Sequence, residues 1–346
     1  MRTPARFRAT ARRRTASSPG SARSSSASNR RQRREAGPVI TRFIINRLLQ
    51  SIVVVFGAVV ISFLLTNTIG RPADVIGGPQ MTAEARAALN AELGYDKPLL
   101  TRFLHYLGGI FQGDFGTSYR TSSDAMGEVV TAFPNTLILV VLAILLAAIL
   151  ALMLTIFSAR HRESWADRFI RRTIGALQGM PEFWLGLMLI LVFSANLQLL
   201  PSFGFYNVSS IVLPVVTLAL PTVPTLYRVF RGQMLDVLGN DFVEAMRARG
   251  LSERVIVYRH ALRNMLGPSV NFTALQLGYL ISACVIVETI FSWPGIGNLM
   301  ISAVLTRDFA VVQATIIMVA AFYVLLNLIS DIFILISDPR VRMVKA

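Results

Sequence analysis

Residues 129–159 read VVTAFPNTLILVVLAILLAAILALMLTIFSA, a run of thirty-one positions without one charged side chain. A helix rises about 1.5 Å per residue and a bilayer's hydrocarbon is about 30 Å thick, so roughly 20 apolar residues cross it. Leu, Ile and Ala surround this helix on every side, with no polar face to present to water. The stretch is therefore a membrane span.

Working outward, the same test picks out five more runs. Residues 48–69 are free of charge and follow Arg42 and Arg47. Residues 173–200 are interrupted by Glu182, and residues 209–227 carry Pro214, Pro221 and Pro224, which predict a kink because proline removes a helical N–H. Residues 266–287 and 309–330 complete the set, the last continuing past Asp331 to residue 337. The expectation is an all-α polytopic membrane protein with six transmembrane helices. Composition agrees: of 346 residues 53% are hydrophobic and 15% charged, against about 25% charged in soluble domains.

Lysine and arginine between spans set the orientation. The 160–172 connection holds five arginines and residues 228–263 hold seven, so both are assigned to the cytoplasm together with the basic N-terminus. The 196–210 connection has no charge and the 70–128 loop has more acids than bases, so both lie outside. Six crossings then leave both termini cytoplasmic. The long outer loop predicts its own helices, residues 83–93 after Thr82 and stopped by Gly94, and an amphipathic piece at 99–111.

The net charge of +15 is concentrated: residues 1–40 carry eleven arginines against Glu35, leaving +5 for the remaining chain. Arg, Ser, Ala, Pro and Gly there give no apolar run to fold around, so 1–40 reads as a disordered arm lying on anionic lipid. An organellar transit peptide has a similar composition and is the weaker reading. Charge without interleaved aromatics argues against a nucleic-acid partner. The single cysteine, Cys284, excludes a disulfide framework, and His105, His161 and His260 are scattered, so no metal site is expected.

The cytoplasmic stretch 241–268 is the most informative. It reads DFVEAMRARGLSERVIVYRHALRNMLGP. The pattern predicts two short helices broken at Gly250, with Ser252 capping the second and an apolar stripe of Leu251, Val255, Tyr258 and Leu262. On these features alone, a basic interfacial helix competes with a partner-docking element.

Glu244-Ala245, Gly250, the RHALRN run at 259–264 and Pro268 resemble the EAA loop of binding-protein-dependent ABC importer permeases, in the spelling of the DppB/OppB dipeptide and oligopeptide subfamily. Arg47-Leu-Leu, the GYDKP at 94–98, GDFGTS at 113–118, PEFW at 181–184, ETIFSWPGIG at 288–297 and the stretch from Asn327 to the DPR at 338–340 are similar to that subfamily too. The likeness spans residues 41–346. Two stretches depart from it: Ile69-Gly-Arg-Pro72 stands in place of Pro-Gly-Asp-Pro, and Glu244-Ala-Met246 stands where Arg-Thr-Ala is common.

The resemblance implies a type I ABC importer permease fold. Residues 41–128 would supply the first helix and extracytoplasmic loop, and 129–346 the permease core. It further implies that the 241–268 loop couples to an ATPase through Glu244, Ala245, Gly250, Leu251, Arg254 and Tyr258. Glu288, Trp293, Pro294, Gly295 and Gly297 would form a gate or periplasmic loop. The implied partners are a second homologous permease, two nucleotide-binding ATPase subunits that carry ATP and Mg, an extracytoplasmic solute-binding protein and the lipid bilayer. Relatives of this kind carry dipeptides, oligopeptides, glutathione or nickel chelates, and peptide is the expected solute here. A secondary transporter built on Glu182, Glu288 and Asp331 is the alternative of another class.

An ATP site of its own is excluded by the residues themselves. Lys97 follows Asp96 and Lys345 follows Val344, so no Gly-Lys-Ser/Thr phosphate loop exists. The purified chain is accordingly expected to hydrolyse no ATP, with turnover appearing when motor subunits are added. Nucleotide turnover by the isolated chain, with contaminants excluded, would refute this.

Overall fold

Short polar side chains stand where several helices begin, each accepting a backbone N–H that the first turn leaves unpaired. The computed structural model describes residues 45–68, 73, 81–92 and 94–337. The arm 1–40, the 69–72 departure and the 338–340 ending lie outside these. Helix α1 is Ile45–Thr68, α2 is Ala83–Glu92 and α3 is Leu99–Gln112. Asp124 opens α4, Ala125–Arg160, by accepting from the Gly127 N–H at 2.6 Å. Ser164 does the same for α5, Trp165–Gln178, and Asn207 for α7, Val208–Leu238. Between them lies α6, Glu182–Asn196, whose last residues wind as a π-helix. The series closes with α8, Asp241–Ala248, α9, Glu253–Ile290, α10, Ile296–Leu305, and α11, Phe309–Ser337. Among the described residues there is no strand, one isolated bridge joining Thr117 and Asp124.

Residues 50–337 form one compact unit whose centre is the pairing of α4 with α7, with α9 laid across both. Ala143, Ala147 and Ala151 are fully buried at four-residue spacing on α4, and they share a cluster with Leu218, Ala219, Leu226, Leu280 and Cys284. Small residues let helix backbones approach where lipid supplies no hydrophobic drive to associate. A second cluster joins the starts of α4, α10 and α11 through Val129, Ile296 and Val311. The outer-loop helix α3 is fastened to α1 by rings: Phe103 lies 5.2 Å from Phe63 edge-on, and Tyr106 stacks on Phe63 at 5.6 Å.

Among the described residues five helices are long and apolar enough to cross a membrane, and the third expected span differs from its reading. Instead of one helix over 173–200, α5 and α6 meet at a 102° bend across residues 179–181. Pro181 has no N–H to continue α5 and stands at the N-cap of α6, and proline disfavours a helical residue before it. The amphipathic α5 is turned away and the apolar α6 begins afresh. Conversely, the three prolines of 209–227 do not divide α7, which continues to Leu238. Its extension beyond the apolar run is held because Phe230 and Met234 are buried.

The outer-loop helix α2 starts and stops near where the sequence indicated. Thr82 Oγ1 accepts from Ala85 N at 3.3 Å, and Gly94 at φ +71° turns the chain away. Cysteines introduced at Ala91 on α2 and Ala248 on α8, both exposed, are expected to react with impermeant reagents from opposite membrane faces, Ala91 from outside. Labelling of both from one face would overturn the arrangement of crossings.

Candidate functional site

The 241–258 stretch is built as a stiff surface corner. Helix α8 is anchored by one fully buried residue, Val243, while Glu244, Ala245 and Arg247 stay exposed. It ends in a double closure: the Gly250 N–H bonds the Arg247 carbonyl at 2.9 Å and the Leu251 N–H bonds the Met246 carbonyl at 3.2 Å. This Schellman arrangement needs a left-handed residue at its hinge, and Gly250 has φ +80°. A Cβ there would meet nothing within 4 Å. The requirement for glycine is thus one of backbone conformation alone.

Across the turn, the Arg247 guanidinium grips the Glu253 carboxylate, Nε to Oε1 at 2.6 Å and Nη2 to Oε2 at 3.4 Å. That hydrogen-bonded partner holds Arg247 protonated even above its usual range. Both side chains are largely solvated, so the pair contributes geometry more than stability.

Two expectations for this stretch are corrected. The second helix is not short: residues 253–261 are the beginning of α9, which continues into the membrane to Ile290. Ser252 stands at the N-cap, but its side chain makes no capping bond. Of the apolar stripe read as a face for a partner or for lipid, Val255 and Tyr258 lie on the surface, 40% and 44% exposed, while Ile256, Val257, Ala261 and Met265 face inward. Residues Ile256–Ala261 wind as a π-helix. Leu251 is half-buried, Arg254 is exposed, and the Arg160 guanidinium sits 5.8 Å above the Tyr258 ring. Apolar side chains at Phe242, Val255 and Tyr258 are left on the surface beside Glu244 and Ala245.

Nearby elements are tied by a cluster that sequence reading did not reveal. Asp167 in the first turn of α5 is fully buried and meets Arg231 of α7 at 3.2 Å, while Ser158 of α4 donates to its carboxylate. The Ser158 hydroxyl also lies 2.9 Å from Tyr227. These groups are up to 73 residues apart in the chain, so no local pattern marks them.

Glu288, Trp293, Gly295 and Gly297 are brought together at the other end of α9, far along the chain from the cytoplasmic corner. The Glu288 side chain is fully buried and accepts from Thr136 Oγ1 at 2.6 Å, Gly297 N at 2.7 Å and Asn298 N at 3.1 Å, with Cys284 Sγ at 3.3 Å. It supplies from α9 the acceptor that α10 lacks at its own N-terminus. A Cβ on Gly295 would overlap the Glu288 carboxylate, and one on Gly297 would come within 2.5 Å of the Val285 backbone. Trp293 is fully buried, donates to the Asn135 carbonyl at 3.1 Å and packs against Phe205 at 4.6 Å. Pro294 alone of the five is exposed, and its carbonyl accepts from Asn135. Asn135 and Thr136 were not singled out in the sequence, where they read as two polar interruptions of an apolar run.

Comparison with known proteins bears on the whole chain. Residues 151–343 match the family model for binding-protein-dependent transport system inner membrane components, and residues 40–140 match the N-terminal model of such components. The glutathione transport system permease protein GsiC of Escherichia coli K12 is 34% identical over 301 residues, covering 87% of this chain and 98% of that protein. Its Salmonella typhimurium counterpart is 33% identical over the same length. Among solved structures, the inward-facing MetNI methionine ABC transporter gives a TM-score of 0.49 at 17% identity, covering 62% of this chain and 97% of that one.

The Glu288 joint makes a stability prediction. The Thr136 hydroxyl donates to Glu288 and accepts from the Ile296 N–H at 2.9 Å. Thr136→Val keeps the volume but strands a buried N–H and weakens the carboxylate's set, a cost of about 1–3 kcal/mol. A fall of several degrees in thermal midpoint is expected in detergent, whereas Thr136→Ser should stay within a degree or two of the parent. Equal midpoints for Thr136→Val and the parent would show that this joint holds nothing.

Proposed function

The chain belongs to the binding-protein-dependent transport system inner membrane components, the permease subunits of ABC importers in the bacterial inner membrane, and from that premise we propose that α8 with the start of α9 is its docking element for a separate ATPase. One observation carries this reading. The corner is rigid in its backbone yet leaves Phe242, Val255 and Tyr258 uncovered beside Glu244 and Ala245, a surface its own core does not use. Apolar anchors rimmed by charge are what a groove on a partner recognises.

The mechanism follows from continuity. Because α9 stays helical from Glu253 to Ile290, through a π-wound turn at 256–261 and past Pro268, a displacement of the corner is carried along the helix into the membrane. At its outer end the Glu288 joint passes the movement to α10. Closure of two ATPase subunits around ATP and Mg would push the corner, and a paired permease subunit would move against this one. The proposed path has six crossings with both termini cytoplasmic, α5 and α6 together counting as one. An extracytoplasmic binding protein would deliver the solute at the outer loop, and the residues from Trp293 to Gly297 would act there as the moving edge of a gate.

Family membership replaces the secondary-transporter alternative. For the solute, the GsiC relatives are named for glutathione, and a small peptide is the proposed class for this chain; nickel chelates are the second reading.

Gly250→Val forces a left-handed conformation on a β-branched residue, costing about 1–2 kcal/mol or more. At 1.4 kcal/mol per decade, that lowers the population of correctly shaped corner by about tenfold. Solute-stimulated ATP hydrolysis and uptake in reconstituted vesicles are expected to fall together by a similar factor. Gly250→Asn, which tolerates the left-handed region, should lose far less. Glu244→Arg should weaken co-purification of the ATPase while leaving insertion intact. If Gly250→Val and Glu244→Arg both retain the ATPase and transport at the parent rate, the docking assignment is wrong.

A further inference from the structure

A cavity of about 420 Å³ lies where α5 breaks from α6, lined by Gln178, Glu182, Thr222, Thr225, Gln276 and Tyr279 among others. Four helices, α5, α6, α7 and α9, converge polar groups on it. Pro221 of α7 borders it too, a position that cannot donate a backbone hydrogen bond. Thr225 stands roughly 26 Å along α7 from Val208 and Gln276 roughly 21 Å along α9 from Ile290, at 1.5 Å per residue, within the roughly 30 Å depth of the hydrocarbon.

Glu182 is the one charged residue of this lining. Its carboxylate accepts from the Tyr279 hydroxyl at 3.2 Å. Among the described residues it has no ion-pair partner. Arg228, the nearest base along α7, is held instead by the Gln178 carbonyl oxygen and does not line the cavity. A carboxylate at membrane depth without a cation is costly, and such groups face water or a bound partner. Tyr279, at 57% exposed, shows that the cavity opens at the protein surface.

We propose that this cavity is a solute subsite on the translocation path, and that Glu182 selects solutes carrying a cationic group, a free ammonium above all. Gln178, Gln276 and Thr225 supply neutral donors and acceptors for the polar remainder of such a solute. The inference rests on the reading of this chain as the importer's permease.

The test places a cysteine at Thr225, in the assembled importer in open membrane fragments, and compares labelling by 2-aminoethyl and 2-sulfonatoethyl methanethiosulfonate. Cys284 is fully buried and serves as the unreactive background. Relative to the same two reagents on a simple thiol in solution, the cationic reagent is expected to be favoured about tenfold further. Glu182→Gln should bring the ratio back to the solution value. An unchanged ratio in E182Q, or no labelling of Thr225→Cys by either reagent in a complex that still assembles, overturns the proposal. ATP separates this from the docking assignment. If the charge preference persists but labelling ignores ATP, the subsite stands and the coupling reading fails.

Discussion

Hydrocarbon offers no partner to a backbone N–H or C=O, and each one left bare inside it costs several kcal/mol. That constraint makes this chain helical, and it also makes every interruption of a helix expensive unless something repairs it. The interruptions are therefore where the molecule is most specific. One lies at an exposed corner rather than in hydrocarbon, and there Gly250 closes α8 with two backbone bonds. Glu288 repairs another by lending a carboxylate to the start of α10. At 179–181 the chain turns through 102°, and the polar groups exposed by that turn line a cavity rather than lipid.

These repairs share one long element. The helix from Glu253 to Ile290 starts at the cytoplasmic corner, passes the cavity at Gln276 and Tyr279, and ends at the Glu288 joint. Pro268 lies in its middle third, where a long helix is apt to bend, yet the chain is helical on both sides of it. Events at the corner, the cavity and the joint are in this way mechanically related. The Asp167, Arg231 and Ser158 cluster ties α4, α5 and α7 to one another.

Polar residues within the apolar runs had the least legible roles. Thr136 and Asn135 look like minor interruptions of a span, yet they are what Glu288, Ile296, Pro294 and Trp293 bond to, from more than 150 residues away. Asp167 looks like one more charge in a cytoplasmic connection but is fully buried. Partners so distant in sequence leave no periodic trace. The 251–262 stripe showed an apolar surface face, but not that Ile256 and Val257 between its members would be the core contact.

By itself the sequence determined the membrane-spanning class, the positions of most of the long apolar helices, the two helices of the 70–128 loop and the glycine hinge of the 241–258 corner. Each of these is a local property: a run's length against the bilayer's thickness, or a residue type against a backbone conformation. The tertiary structure alone decided which face of each helix meets protein. In a span, lipid-facing and protein-facing residues are equally apolar, so the hydrophobic pattern that orients a soluble helix is silent here. It also decided that Pro181 would break its span while Pro221 and Pro224 would not. α7 is packed between α4 and α9 by buried Leu218, Val223 and Leu226 and stays helical past its missing bonds.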